Sequence, residues 1–106
     1  MLQLSPLELQ ERLAKEAGSL VFLDVREPWE YDICHISGSL HIPMGEIHTR
    51  LDELNTEHEW VVVCHHGMRS YQVAVYLQQN GFSKVINLAG GVDAWAVQVD
   101  LKMSRY

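Results

Sequence analysis

Cys64 carries the strongest chemical signal in this chain. It follows the apolar run Trp60-Val61-Val62-Val63 and opens the stretch Cys64-His65-His66-Gly67-Met68-Arg69-Ser70, after which Val73, Ala74 and Leu77 recur at helical spacing. A strand that ends in a loop running into a helix aims loop amides and a helix N-terminus at the strand's last residue, and here that residue is a thiol. An unperturbed cysteine, with a pKa near 8.5, is about 3% thiolate at pH 7, and a shift to about 6.5 makes it about three-quarters thiolate. That shift requires about 2.7 kcal/mol. An exposed helix terminus supplies about 0.3–1 kcal/mol, so converging N–H groups of the loop and the Arg69 cation are expected to add to it. Gly67 can take the positive φ that lets such a loop curl around sulfur. The competing reading of Cys64 is a small buried hydrophobe at a strand end.

The neighbouring residues each admit two readings. Ser70 either caps the following helix, the expected role, or donates toward the sulfur. His65 and His66 are expected to serve through their backbone amides rather than their imidazoles. A metal site is not expected, because adjacent residues rarely chelate one ion and no C-x-x-C or H-x-x-x-H spacing is present. Asp24 and Arg26 follow another apolar run, Leu20-Val21-Phe22-Leu23, and are expected to form a mutual or loop-bracing hydrogen-bond network rather than to contact substrate. Cys34 is expected to be a buried structural thiol. Trp29, Trp60 and Trp95 are expected to fill the core or pocket walls, with Met44 packing beside them and Met68 at the pocket mouth.

The elements that position these residues can be read from pattern and punctuation. Ser5-Pro6-Leu7-Glu8 has the form of an N-cap, an N1 proline and an N3 glutamate, opening a helix that runs toward Gly18. The unalternated run at 20–23 suits a strand covered on both faces. Ser39-Leu40-His41-Ile42 predicts a short strand stopped by Pro43, and Ile47, Leu51 and Leu54 form an i, i+4, i+7 stripe that predicts a helix. The helix after Cys64 stops at Asn80-Gly81, Val85-Ile86-Asn87-Leu88 predicts a strand, and a Gly90-Gly91 turn leads into a short helix through Ala94-Trp95-Ala96. Residues 100–106 carry no structural signal. Strands alternating with helices require a mainly parallel sheet with helices on both faces, and ligands then sit beyond the carboxyl ends of the strands. Asp24 and Arg26, the Cys64 loop, and Ala89 to Gly91 all follow strand ends, so three segments converge on one edge with the cysteine loop central.

Composition limits the alternatives. At 106 residues, 47% hydrophobic and 21% charged, the chain is expected to form one globular domain over 1–106. Eight Lys and Arg against 14 Asp and Glu leave a formal charge of −6, opposite to the field that draws nucleic acid or anionic lipid. An anionic substrate must therefore be held locally. Two cysteines are too few for a disulfide framework, and Met1 to Lys15 lacks the basic-then-apolar pattern of a secretion signal. The expectation is a cytoplasmic protein with reduced thiols and no membrane association. No Gly-rich phosphate loop follows the first strand, so nucleotide binding has no support.

The stretch from Cys64 to Ser70 resembles the active-site loop of the rhodanese family of sulfurtransferases. Asp24-Val25-Arg26-Glu27 with Glu30-Tyr31 is similar to that family's first signature, His35-Ile36-Ser37-Gly38 with Ile42-Pro43 to its second, and Gly81-Phe82 and Gly90-Gly91-Val92-Asp93-Ala94-Trp95 to its closing elements. The resemblance implies a single-domain rhodanese-like α/β fold, with a mainly parallel sheet of about five strands flanked by helices, a core over about 5–96 and a tail at 100–106. It implies that Cys64 attacks thiosulfate or another sulfane donor to give a persulfide, which a thiophilic acceptor (cyanide, a thiol or a partner protein) then discharges, with no dissociable cofactor. It assigns the amides of His65, His66, Gly67, Met68, Arg69 and Ser70 to the thiolate and persulfide, and the Arg69 side chain to the sulfonate end of the donor, a structural cation at the loop rim being the other reading of Arg69. Four residues separate Cys64 from Arg69, whereas related phosphatases of the cell-cycle type carry a longer loop to cradle a larger oxyanion. The alternative of a different class is a persulfide carrier loaded by a sulfur-relay protein and weak with thiosulfate. Cys34 departs from the family, which commonly places glycine there. An accessible Cys34 close to Cys64 could resolve the persulfide into a disulfide.

Overall fold

The computed structural model describes residues 1–15 and 20–106. Five strands, β1 (Leu2–Leu4), β2 (Leu20–Asp24), β3 (Leu40–His41), β4 (Glu59–Val63) and β5 (Val85–Leu88), form one sheet in the order β1-β5-β4-β2-β3. Every pairing is parallel. Four helices, α1 (Pro6–Lys15), α2 (Pro28–Ile33), α3 (Met68–Gln79) and α4 (Gly91–Gln98), lie between or after the strands. The expected α/β class, the parallel sheet of about five strands and its helical cover are all present.

Side chains of the central strand β4, buried from Trp60 to Val63, alternate between its two faces and split the core in two. Trp60, Val62 and Cys64 point to one face, where they pack with Val73, Ala74 and Leu77 of α3 and with Ile47 and Leu54. Val61 and Val63 point to the other, against Leu9 of α1 and Val92 and Trp95 of α4. Cys64 thus continues the α3 side of the pleat just past the end of β4. The register aligns Asp24 with Val63 and His41 with Asp24, and Val62 with Asn87, so the carboxyl ends of four strands form one shelf.

Local chemistry explains most element ends. The Ser5 amide donates to Glu8 Oε1 at 2.8 Å and the Glu8 amide donates to Ser5 Oγ at 3.2 Å, the reciprocal cap expected at α1. The expected end of that helix near Gly18 lies outside the described residues. Gly81 takes φ +93° just after α3.

Three elements differ from the sequence reading. The stripe Ile47, Leu51, Leu54 is carried by 3-10 turns at Met44–Thr49 and Leu51–Glu53 rather than by an α-helix. Arg50 leaves helical geometry at φ −124° and ψ 16°. The Thr49 hydroxyl donates to the Glu46 carbonyl, competing for a backbone acceptor, while the Arg50 guanidinium bridges Glu46 and Glu53. The stripe still faces inward because short tight turns also bring residues three and four apart together. Helix α2 was not expected, although Pro28 at its first turn and the Glu27 amide donating to Glu30 Oε1 at 3.0 Å are ordinary start signals. Strand β1 was also missed: three residues suffice because β5 pairs with it, Leu2 to Ile86 through Leu4 to Leu88. No helix among the described residues is long and apolar enough to cross a membrane.

Leu77 is fully buried between α3 and the sheet. Leu77→Ala is expected to lower the unfolding free energy by about 2–5 kcal/mol in equilibrium denaturation, with the fold retained.

Candidate active site

Cys64 sits at the shelf, 1% exposed, where the chain leaves β4. The Gly67 amide donates to Sγ at 3.1 Å, and the Ser70 hydroxyl oxygen lies 3.3 Å from it. Gly67, the N-cap residue just before α3, has φ +98°, so a left-handed residue both turns the loop and points its amide at the sulfur. Of the six loop amides expected to face the thiol, that of Gly67 makes the hydrogen bond to Sγ in the resting protein.

The loop is held from behind by α4. The Val92 amide donates to the Cys64 carbonyl at 2.9 Å and the Asp93 amide to the His65 carbonyl at 3.2 Å. Those amides are the free donors of a helix N-terminus, spent on backbone oxygens rather than on a ligand. Gly91, at φ +61°, makes the approach feasible, because a Cβ there would collide with both carbonyls. The three converging segments of the sequence reading therefore meet, and the third acts as a clamp.

Ser70 does not cap α3. It is fully buried in the first turn, and its hydroxyl donates to Asn87 Oδ1 on β5 while facing Cys64. Asn87 in turn donates through Nδ2 to the Gly67 carbonyl at 3.0 Å and to Gln3 Oε1 at 2.8 Å. Sequence reasoning missed Asn87, whose signal was a polar side chain within the otherwise apolar Val85-Ile86-Asn87-Leu88.

Arg69 turns two guanidinium nitrogens onto Glu30 of α2, at 2.7 and 2.9 Å. In the resting protein this pair holds Arg69 at the loop rim, one of its two expected roles. Glu30 also accepts from the Tyr106 hydroxyl at 2.7 Å. These bonds, Arg69's above all, hold the Glu30 carboxyl down at about 2 despite its burial. Neither Glu30 nor Tyr106 was singled out beforehand as a supporting residue. Tyr106 lies in the tail that carried no signal, yet its hydroxyl accepts from Arg26 at 3.0 Å and burial pushes it up to about 12.

Asp24 and Arg26 bond to each other, and the further partners of Arg26 lie on α2, Cys34 and the tail rather than on the Cys64 loop. Arg26 is fully buried, donates to Asp24 through Nε and Nη2, and sends its remaining donors to the carbonyls of Glu30 and Cys34 and to Tyr106. Burial opposes the Arg26 charge, but Asp24 and Tyr106 outweigh it and strengthen its protonation. Cys34 is half-buried, with its sulfur 3.9 Å from Arg26 Nη1.

His65 stacks on Tyr106 and lies tilted by 30° against His66, with ring centres 3.9 Å apart in each pair. Burial, above all, and the neighbouring His66 lower its pKa, and its Nε2 is buried without a hydrogen-bond partner. His65, His66 and Asp93 bring potential ligand atoms within 4.8 Å of one another, but Asp93 is already clasped by Arg105 at 2.9 and 3.3 Å. Trp60 and Trp95 are buried as expected, whereas Trp29 is 61% exposed, edge-on to Tyr106. Met68 is exposed. A surface hollow lined by Met44, Ile47, His48, Gln72, Val73 and Tyr76 lies beside α3 and does not include Cys64.

A buried thiol in a short strand-to-helix loop, with an amide donor on the sulfur, coincides with a match of residues 5–98 to the family described as Rhodanese-like domain. The chain belongs to the rhodanese family. A putative sulfur carrier protein of Bacillus subtilis, YrkF, is 47% identical over 77 residues, covering 73% of this chain and 42% of that protein. The thiosulfate sulfurtransferase GlpE of Pseudomonas fluorescens is 37% identical over 86 residues, 81% of this chain and 78% of that protein. Among solved structures, a rhodanese-like domain protein from Staphylococcus aureus superposes with a TM-score of 0.84 at 30% identity, over 100% of this chain and 99% of that one. The rhodanese fold and such relatives support sulfur transfer as the reaction class.

The Glu30–Arg69 pair gives the domain an acid limit. A carboxyl held at about 2 in the folded state, against the ordinary value of 4.5, contributes stability that is fully present above about pH 4.5 and is lost as pH falls toward 2. Glu30→Gln is expected to cost about 1–3 kcal/mol at pH 7, less than a fully buried pair because Arg69 is partly exposed. The gap between variant and parent should close as denaturation is repeated from about pH 5 down to pH 2.

Proposed function

We propose that this rhodanese moves sulfane sulfur through a persulfide on Cys64, with thiosulfate as a competent donor. The observation that carries the reading is the Cys64 sulfur itself, fixed at the end of the central strand with the Gly67 amide 3.1 Å away and the start of α3 behind it. In the first half-reaction the Cys64 thiolate attacks the outer sulfur of thiosulfate. A new S–S bond forms, the sulfur–sulfur bond of the donor breaks, and its electron pair leaves with sulfite. In the second, cyanide, a thiol or a protein acceptor attacks the outer sulfur of the persulfide and returns the Cys64 thiolate. Both halves exchange one sulfur–sulfur bond for another bond to sulfur, so no dissociable cofactor is required.

The loop supplies the electrostatics locally, as a chain of formal charge −6 must. Donors preorganised around a buried sulfur stabilise developing negative charge without reorganising. Gly67 serves the inner sulfur, and the amides of His65, His66, Met68, Arg69 and Ser70 form the cradle for the outer one. Arg69 contributes its charge to the sulfonate end, using donors not committed to Glu30. Asp24 and Arg26, engaged with each other, hold the β2 end of the shelf.

A second reading, a persulfide carrier loaded by a protein partner, is favoured by the likeness to a protein named as a putative sulfur carrier. The near-complete burial of Cys64 is compatible with either. Intact-protein mass after incubation with excess thiosulfate, under non-reducing conditions, tests the proposal. The parent and Cys34→Ser should gain one sulfur atom, Cys64→Ser should gain none, and cyanide should remove the adduct as thiocyanate forms. A folded parent that gains no sulfur and yields no thiocyanate contradicts the thiosulfate reading, and loading from a protein persulfide alone would favour the carrier.

A further inference from the structure

The chemistry just proposed uses the Cys64 thiolate, yet the hydrogen-bond directions around the resting sulfur suit the thiol. Asn87 decides this. It is 1% exposed on β5, and its amide has one orientation, because Nδ2 lies 3.0 Å from the Gly67 carbonyl and a carbonyl can only accept. Asn87 Oδ1 therefore faces Ser70, and an amide oxygen also only accepts, so the Ser70 hydroxyl proton lies on the Asn87 side. Ser70 Oγ is left presenting a lone pair to Cys64 Sγ at 3.3 Å. That arrangement is satisfied by S–H donating to Oγ and is unfavourable for a thiolate facing the same oxygen.

We propose that Asn87 is a positioning residue that holds the Ser70 proton away from Cys64, so that the Ser70 hydroxyl turns from Asn87 to sulfur when Cys64 ionises or carries a persulfide. The step is a rotation about the Ser70 Cβ–Oγ bond. The O–H···Oδ1 hydrogen bond to Asn87 breaks and an O–H···S⁻ bond forms. The proton that leaves is the thiol's own, lost to solvent, and the hydroxyl keeps its hydrogen throughout. Asn87 thereby sets how readily the nucleophile forms, and the Gly67 amide at 3.1 Å stays on the sulfur in both states.

The same residue couples the switch to the rest of the shelf. Through Nδ2 it ties the Gly67 carbonyl of the Cys64 loop to Gln3 on the edge strand β1. The charged and titratable groups around the loop are Arg69 with Glu30 from α2, His65 and His66 in the loop, Asp93 of α4 with Arg105, Asp24 with Arg26 at the end of β2, and Tyr106 from the tail. All of them are retained in the variants compared below, so their fields cancel in the comparison.

The inference rests on Cys64 being the reacting thiol, and its test can fail separately from the sulfur-transfer reading. In a Cys34→Ser background, the rate of Cys64 alkylation by iodoacetamide is followed by mass across pH 5 to 10 in the parent, Asn87→Ala, Ser70→Ala and the double variant, with near-UV circular dichroism confirming the fold. Asn87→Ala frees the Ser70 proton for the sulfur and is expected to move the profile down by about one pH unit. In the Ser70→Ala background the same substitution should move it by less than about 0.3 unit, since no hydroxyl remains to redirect. Asn87→Asp, a stronger acceptor, should move the profile upward, with much of that rise lost when Ser70 is replaced; this variant decides if Asn87→Ala does not fold. A shift of equal size with and without Ser70, or no shift in any Asn87 variant, overturns the proposal. Normal loading from thiosulfate with an unmoved profile rejects the switch alone, and a moved profile without loading rejects thiosulfate transfer alone.

Discussion

The close approach of α4 to the Cys64 loop is the constraint on which the site depends. A helix N-terminus normally leaves amides free for a ligand, but here Val92 and Asp93 give theirs to the carbonyls of Cys64 and His65. Fixing those two carbonyls toward α4 fixes the opposite side of the loop, where Gly67 turns its amide to the sulfur. The approach leaves no room for a Cβ at Gly91, and Gly67 is nearly as confined, with a Cβ reaching 3.1 Å from the Gly90 amide nitrogen. Two backbone segments in contact through glycines on both sides cannot drift independently. The sulfur is therefore positioned by main chain rather than by flexible side chains.

Around this clamp lies a layer of paired charges that share partners. Asp24 and Arg26 form a buried pair, Glu30 and Arg69 a second, and the Tyr106 hydroxyl joins them by donating to Glu30 and accepting from Arg26. Each charge is compensated, the condition under which burial of ions is tolerated. The layer ties the β2 end, α2, the start of α3 and the tail into one unit beside the reactive loop. It also reserves Arg69: a cation anchored by Glu30 retains its field at the shelf in a molecule whose overall charge repels anions.

Strand β4, the helix after Cys64 and the cap at Ser5 were legible because each is encoded by neighbours in sequence: an apolar run, a 3.6-residue period, a reciprocal side-chain bond. The same logic placed Asp24, Cys64 and Gly90-Gly91 on one edge. Features resting on distant partners were not legible. Leu2–Leu4 is a strand because β5 pairs with it, and Tyr106 is ordered by Arg26 and Glu30, far away in the chain. Ser70 was read as a cap because its local context suits one, and only the fold shows Asn87 opposite it. The 3-10 turns at 44–53 show a further limit, since an i, i+4, i+7 stripe records which side faces inward and not how tightly the backbone is wound.

The central claim is that sulfur is parked on Cys64 between two separable half-reactions, and sulfite released in a single turnover tests it most directly. When the Cys34→Ser protein is mixed with excess thiosulfate and no acceptor, the account predicts a burst approaching one sulfite per Cys64, after which release stops until cyanide or a thiol is added. A folded protein that gives no burst, or a burst of the same size in Cys64→Ser, would contradict it.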